Sequence, residues 1–440
     1  MIQEGVRQSR RFAVDSVETW RQKALHWASA RFEQVVFFQG NAALTNSLSY
    51  PHGPFPDRLA AGSARVVPFS EADPFDTLVN FHRQHPDFLV GYWGYDLKNR
   101  IEALATRHPD RTGFPDQFFF QPLHLIDFLD DSVVIHSLED PEGIWRQITK
   151  QPSGVFDALS GTPSVQCRVS REQYVQTVKR IQEHIREGDI YELNYCIEFF
   201  AEGLRLPPLE VYRRLNERSP MPFSCFFRNG DQYVLCASPE RFLKKDGTTL
   251  ISQPIKGTIR RGTSPEEDVL LRQQLRCDEK EQAENLMIVD LVRNDLARSA
   301  ETGSVRVEEL FGIYGFRQVH QMISTVTARL RADVSFGSVI RNAFPMGSMT
   351  GAPKVRAMEL IDRYESSRRG VYSGAMGFIT PGGDFDFNVV IRSLIYNAAN
   401  QYASFSVGSA ITYDADPERE YAECLLKARA VREALMQGER

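Results

Sequence analysis

Cysteine is scarce and scattered: six residues in 440 (Cys167, Cys196, Cys225, Cys236, Cys277 and Cys424), with no CxxC pair and no metal-ligand spacing. That excludes a disulfide framework and a structural zinc site, and it suits a reducing compartment. No 18-residue apolar run exists, so no membrane-spanning helix is expected. The first thirty residues carry Arg7, Arg10, Arg11, Asp15 and Glu18 in place of an apolar signal core, and a cytoplasmic protein is the expectation. Runs of lysine or arginine are missing too, and the net charge is -5, which argues against nucleic acid or a membrane surface as partner. Internal repeats and low-complexity tracts are absent. What is present, 42% hydrophobic and 25% charged residues, is the composition of a globular enzyme with an extensive core or two domains, acting on a small molecule.

The chain opens with a helical pattern from Asp15 to Ala30 bearing Trp20, Ala24 and Trp27, followed by an apolar strand through Val35 to Phe38. Turn formers cluster from Gln151 to Ser164 and mark a boundary. Residues 1–164 are therefore expected to form an N-terminal segment with too few strands to stand alone, packing on the body made by residues 165–440. Beyond the boundary, Ser170 and Gln173 form a capping-box pattern ahead of a helix over 171–187, closed by Gly188. Alternation from Tyr191 to Phe199 reads as a strand. Asn229-Gly230 and Asp246-Gly247 predict tight turns in a three-stranded meander over 222–256. In that register Glu240 faces Gln253, and Lys256 ends the third strand.

Lys256 sits in the rigid segment Pro254-Ile255-Lys256-Gly257-Thr258. It reads either as a surface cation or as a nucleophile; the second role requires its amine to be deprotonated, through burial or neighbouring charge. The segment from Asp278 to Arg298 is a strong helix pattern with Glu281 and Glu284 on one face, and the last helix, capped by Asp416, repeats this with Glu420 and Glu423. Two such edges are either solvated faces, with Glu423 and Lys427 as a routine i,i+4 pair, or the holders of a hard divalent cation such as Mg²⁺. Gly347 to Lys354 is a small-residue loop entering a helix, so Ser348 and Thr350 serve either a helix cap or an anion. It lacks the spacing of a Walker loop. His320, the only histidine after His184, is structural or catalytic.

Taken in order, these pieces resemble the chorismate-utilising enzymes, and among them the synthase subunits (component I) of aminodeoxychorismate synthases. The resemblance covers roughly residues 170 to 435. It is carried by Gly188 to Tyr191, Ser238 to Phe242, the PIKGT segment, Ala283 to Asp295, Gly347 to Lys354, Tyr372 to Ala375, Ile391 to Ser393 and the closing glutamate helix. In the N-terminal part only Gly91 to Asp96 looks like the family's GxxGYD turn. The implied fold is α+β and anthranilate-synthase-like, with large antiparallel sheets packed face to face, helices outside and the substrate between.

The resemblance also implies roles. Glu284 and Glu423 look like direct Mg²⁺ ligands, with Glu281 and Glu420 acting through water. Thr258, His320, Thr350, Tyr372, Arg392, the run Gly408-Ser409-Ala410 and Lys427 are implied to bind chorismate. The family's chemistry makes Lys256 a covalent nucleophile and Glu240 a general acid, with ammonia supplied by a glutamine amidotransferase partner. Alanine in place of Lys256 would point to anthranilate synthase component I, the alternative reading; a catalytically silent chorismate-binding paralogue is the non-enzymatic one. Glu192 stands where related synthases carry glutamine, and the family pattern assigns it no role.

Overall fold

The computed structural model describes residues 6–42, 50–154 and 163–436. Part of the expected boundary, residues 155–162, thus lies outside the described residues. The fold is α+β: twenty strands form one hydrogen-bonded network, helices flank it, and the ladders are antiparallel throughout the described residues.

Local chemistry sets the element ends. Ser16 caps the helix Val17–Arg31, and Ser170 with Gln173 completes the capping box of Arg171–Arg186. Asp278 and Asp416 accept first-turn N–H groups at the starts of Glu279–Ala297 and Pro417–Leu435, satisfying donors that helix geometry leaves free.

The expected meander divides in two. Phe223–Asn229 and Gln232–Ser238 pair as a hairpin, and so do Arg241–Asp246 and Thr249–Gln253. The two hairpins do not pair with each other: Ser393–Asn397 lies beside the first and Phe385–Val389 beside the second. Pro239, which cannot donate to a ladder, interrupts the run between them. The second turn is one residue later than predicted, since Asp246 faces Thr249, and a bulge brings Arg241, not Glu240, opposite Gln253. Pro254 ends that hairpin in turn, so Lys256 belongs to a separate strand, Ile255–Arg260, paired with Val319–Arg329.

Strands from before the boundary join strands from after it. Gln34–Gln39 pairs with Phe223–Asn229, and Leu89–Trp93 with Ala375–Ile379. Their apolar faces enter one core in which Phe38 packs against Phe378 and Trp93 against Phe387. No helix among the described residues is long and apolar enough to cross a membrane.

Candidate active site

The Lys256 Nζ lies 3.4 Å from Glu192 Oε1 and 3.9 Å from Glu284 Oε2. Burial pulls the pKa of this amine down, but Glu192, Glu284 and Glu423 outweigh it, and the net shift is upward. The depressed pKa required of a free nucleophile is therefore not what this cluster produces; the carboxylates hold the ammonium form. Glu192 is 1% exposed and its Oε2 has no hydrogen-bond partner among the described residues. Burial raises its pKa as well, against the attraction of Lys256.

Glu240 follows Pro239 at the break between the hairpins. It is buried, and the Ser348 hydroxyl donates to its Oε1 at 2.6 Å. Burial pushes its pKa up to about 7, with Ser348 and the charge of Lys256 opposing. The carboxyl is thus poised to hold a proton near neutrality.

The two glutamate helices bring Glu281, Glu284, Glu420 and Glu423 together. Glu281 is raised to about 7 by burial and then by Glu284 and Glu423; Glu420 is raised by burial and Glu423. Glu423 goes the other way: burial raises it, but Lys427, 2.6 Å off, together with Lys256 and Lys280 outweighs burial. Lys280 spans the two helices, 3.6 Å from Glu284 and 3.3 Å from Glu420. An all-oxygen donor set under mutual repulsion fits a hard divalent cation. The carboxylates do not converge on one point, however. Among the described residues only His184, Glu187 and Asp189 place three metal-type ligand atoms within 4.8 Å of one another. There both histidine nitrogens are already engaged, by Asp189 and Tyr364, and Asp189 is also paired with Arg356.

Arg392 has a positive φ of 53°, an uncommon conformation for a side-chain-bearing residue and a form of strain that gathers at functional sites. Burial lowers its pKa, against the pull of Glu423 and Tyr372. A guanidinium so placed can grip a carboxylate with two hydrogen bonds. Tyr372 OH lies 3.6 Å from Cys196 Sγ. Gly408, Ser409 and Ala410 face Cys196, Tyr195 and Asn194 across a ladder, and Lys427 donates to the Gly408 carbonyl at 2.9 Å. A Cβ on Gly408 would come within 2.5 Å of Cys196 Sγ, so glycine is required by close approach.

Other expected residues sit differently. Ser348 is spent on Glu240, and the Thr350 hydroxyl donates to Met346 and Gly347 carbonyls, so neither hydroxyl is held for an anion. Lys354 is paired with the buried Asp295. Thr258 is exposed. His320 turns to Asp268, Nε2 to Oδ1 2.9 Å, and lines a cavity of about 560 Å³ with Arg261, Arg276 and Tyr314; neither Lys256 nor the four glutamates line it. Sequence reasoning overlooked Lys280, although its i,i+4 spacing to Glu284 is legible. It also overlooked the buried pair Glu365 and Arg369, four residues apart just beyond a helix end.

Residues 34–433 match the model of the chorismate binding enzyme family. The chain belongs to that family. An aminodeoxychorismate synthase component 1 from Klebsiella aerogenes is 38% identical over 383 residues, covering 83% of this chain and 84% of its own length. A rice protein described as a probable chloroplastic aminodeoxychorismate synthase is 35% identical over 456 residues, covering 93% of this chain and 50% of its own length. The chain thus spans about half the length of that plant relative. Among solved structures, anthranilate synthase component I from Streptococcus pneumoniae superposes with a TM-score of 0.76 at 28% identity, over 86% of this chain and 92% of that one.

Proposed function

We propose that this protein converts chorismate and ammonia to 4-amino-4-deoxychorismate, on the route to p-aminobenzoate and folate, in the cytoplasm. The observation that carries the reading is Lys256: a half-buried amine in the PIKGT segment, 3.4 Å from Glu192 and within electrostatic reach of Glu240. A lysine at this point separates amination from the sister reactions of the family.

The residues divide the work as follows. Arg392, Tyr372 and the backbone of the Gly408 run hold the substrate. Lys256, an ammonium among its neighbouring carboxylates, becomes a nucleophile only once its proton has passed to one of them, Glu192 Oε1 being the nearest acceptor; its nitrogen then bonds to ring carbon 2. Glu240, protonated up to about pH 7, gives its proton to the carbon-4 hydroxyl, which leaves as water. Ammonia then bonds to carbon 4, the bond between Lys256 and carbon 2 breaks, and the proton shed by the new amine is taken up in the site. Two displacements replace one difficult substitution, the usual gain of covalent catalysis. Glu284 and Glu423 would hold Mg²⁺ directly, with Glu281 and Glu420 through water; when bound, the ion supplies positive charge for a substrate carboxylate.

A glutamine amidotransferase partner is part of the proposal, because free ammonia is mostly protonated at pH 7. The test supplies chorismate, Mg²⁺ and an ammonium salt at alkaline pH and identifies the product by mass. Anthranilate with pyruvate, isochorismate, or binding without turnover would each overturn the reading.

A further inference from the structure

Glu365 and Arg369 form an ion pair at 2.6 Å with both side chains 3% exposed. A pair this deeply buried is often no more stabilising than an apolar pair of the same shape, so its place in the core calls for another explanation. Its hydrogen bonds supply one. Arg369 Nη1 donates to the Met349 carbonyl at 2.6 Å and Nη2 to the Asn194 carbonyl at 2.9 Å, while Glu365 Oε1 accepts from the Cys196 N–H at 2.9 Å. The Arg369 carbonyl accepts from the Tyr372 N–H at 3.1 Å.

These contacts reach three segments of the candidate site. Met349 precedes Thr350, whose carbonyl in turn accepts from Asn194 N–H at 2.8 Å. Cys196 stands opposite Gly408 and beside the Tyr372 hydroxyl. One residue of the N-terminal segment completes the arrangement: Tyr95, in the turn that follows the strand Leu89–Trp93, lies with its ring centroid 4.6 Å from the Arg369 guanidinium carbon. The turn is fastened to the same stretch by Tyr95 N–H to Gly370 carbonyl, 2.7 Å, and by Asp96 to Arg368, 2.8 Å.

We propose that Arg369 is a positioning residue for the substrate pocket: clamped by Glu365 and covered by Tyr95, it fixes the Thr350 loop, Tyr372 and the strand facing Gly408 relative to one another. The N-terminal turn thereby contributes to substrate recognition without meeting the substrate. The inference rests on chorismate being the ligand of this site.

The test uses the full chain. The double variant Glu365→Leu/Arg369→Met replaces the ion pair by an apolar pair, and Arg369→Lys keeps the charge but loses the two-pronged donor. Melting temperature, direct chorismate binding, and kcat and KM across pH are measured for each. With the pocket held loosely, kcat/KM is expected to fall about 100-fold in the double variant, mainly through KM. Its melting temperature should fall, because the Met349 and Asn194 carbonyls and the Cys196 N–H lose their partners, while the pH limb set by Glu240 should not move. Arg369→Lys is expected to shift KM in the same direction by a smaller factor, and Tyr95→Leu more than Tyr95→Phe.

A folded double variant with wild-type chorismate affinity overturns the inference. If the double variant does not fold, Arg369→Lys decides: wild-type KM in that variant overturns it. A wild-type protein that binds no chorismate overturns the functional reading instead, so the two failures are told apart.

Discussion

The two walls of the candidate site are built on opposite principles. On the wall made by the glutamate helices and Lys256, the ammonium groups of Lys256 and Lys280 stand 3.3 to 3.9 Å from their carboxylates while Glu423 and Lys427 close to 2.6 Å, and Glu281 and Glu420 are pushed up by burial and by neighbouring carboxylates. On the wall made by Glu192–Ala201, the Thr350 loop and Tyr402–Ile411, backbone groups are tied by bonds of 2.6 to 2.9 Å. The first wall can change its charge state when a ligand arrives; the second keeps its shape. A displacement reaction needs both, since reacting groups must respond to developing charge while the substrate stays in register.

The sharpest way to break this comparison is Lys256→Ala, on the responsive wall. Turnover is expected to fall by at least about 10⁴-fold with the melting temperature little changed, as for removal of a covalent nucleophile; substantial product by mass would refute the covalent role. Next, Glu240→Gln should cost about 10²- to 10⁴-fold in kcat, the range for a general acid. Its pH behaviour follows from the raised pKa: the acid form is present below about 7 and is lost above it, so the limb of kcat/KM that depends on this acid declines as pH rises through that value. The limb should vanish in Glu240→Gln, and a limb that persists would assign it to another group.

On the shaped wall, Gly408→Ala drives a methyl against Cys196 and should destabilise the fold by roughly 1 to 3 kcal/mol, read by denaturant unfolding. Glu420→Gln, expected to act on the ion through water, should weaken Mg²⁺ binding about 10- to 100-fold, followed by calorimetry and by the stabilisation that Mg²⁺ gives. Arg392→Lys closes the series: losing paired hydrogen bonds should raise KM for chorismate about tenfold, with kcat nearly kept. A fall in kcat alone would move Arg392 to the responsive wall.

Helix ends and the glutamate spacing were legible in the sequence because they depend on neighbours three or four residues apart. Ser170 and Asp416 cap where the pattern predicts, and the helix expected from Asp278 starts with that residue as its cap. Strand partners depend on distant residues, and there local reading failed: no turn signal tells that Ser393–Asn397 comes beside Gln232–Ser238. Hydroxyl roles failed for a related reason. Ser348 looked available for an anion because its acceptor, Glu240, is 108 residues away in the chain. The upward shift of the Lys256 pKa likewise requires three carboxylates from three separate elements, which spacing cannot reveal.

The pairing of Leu89–Trp93 with Ala375–Ile379 has a consequence for how the protein is made. That ladder, and the ion pair between Asp96 and Arg368, 272 residues apart, cannot form on the ribosome until most of the chain has emerged. Non-local pairing of this kind slows folding and leaves strand edges exposed in the interval. Leu89–Trp93 must therefore wait, unpaired on one edge, for a partner nearer the other end, and any truncation removing Ala375–Ile379 leaves that edge open to aggregation.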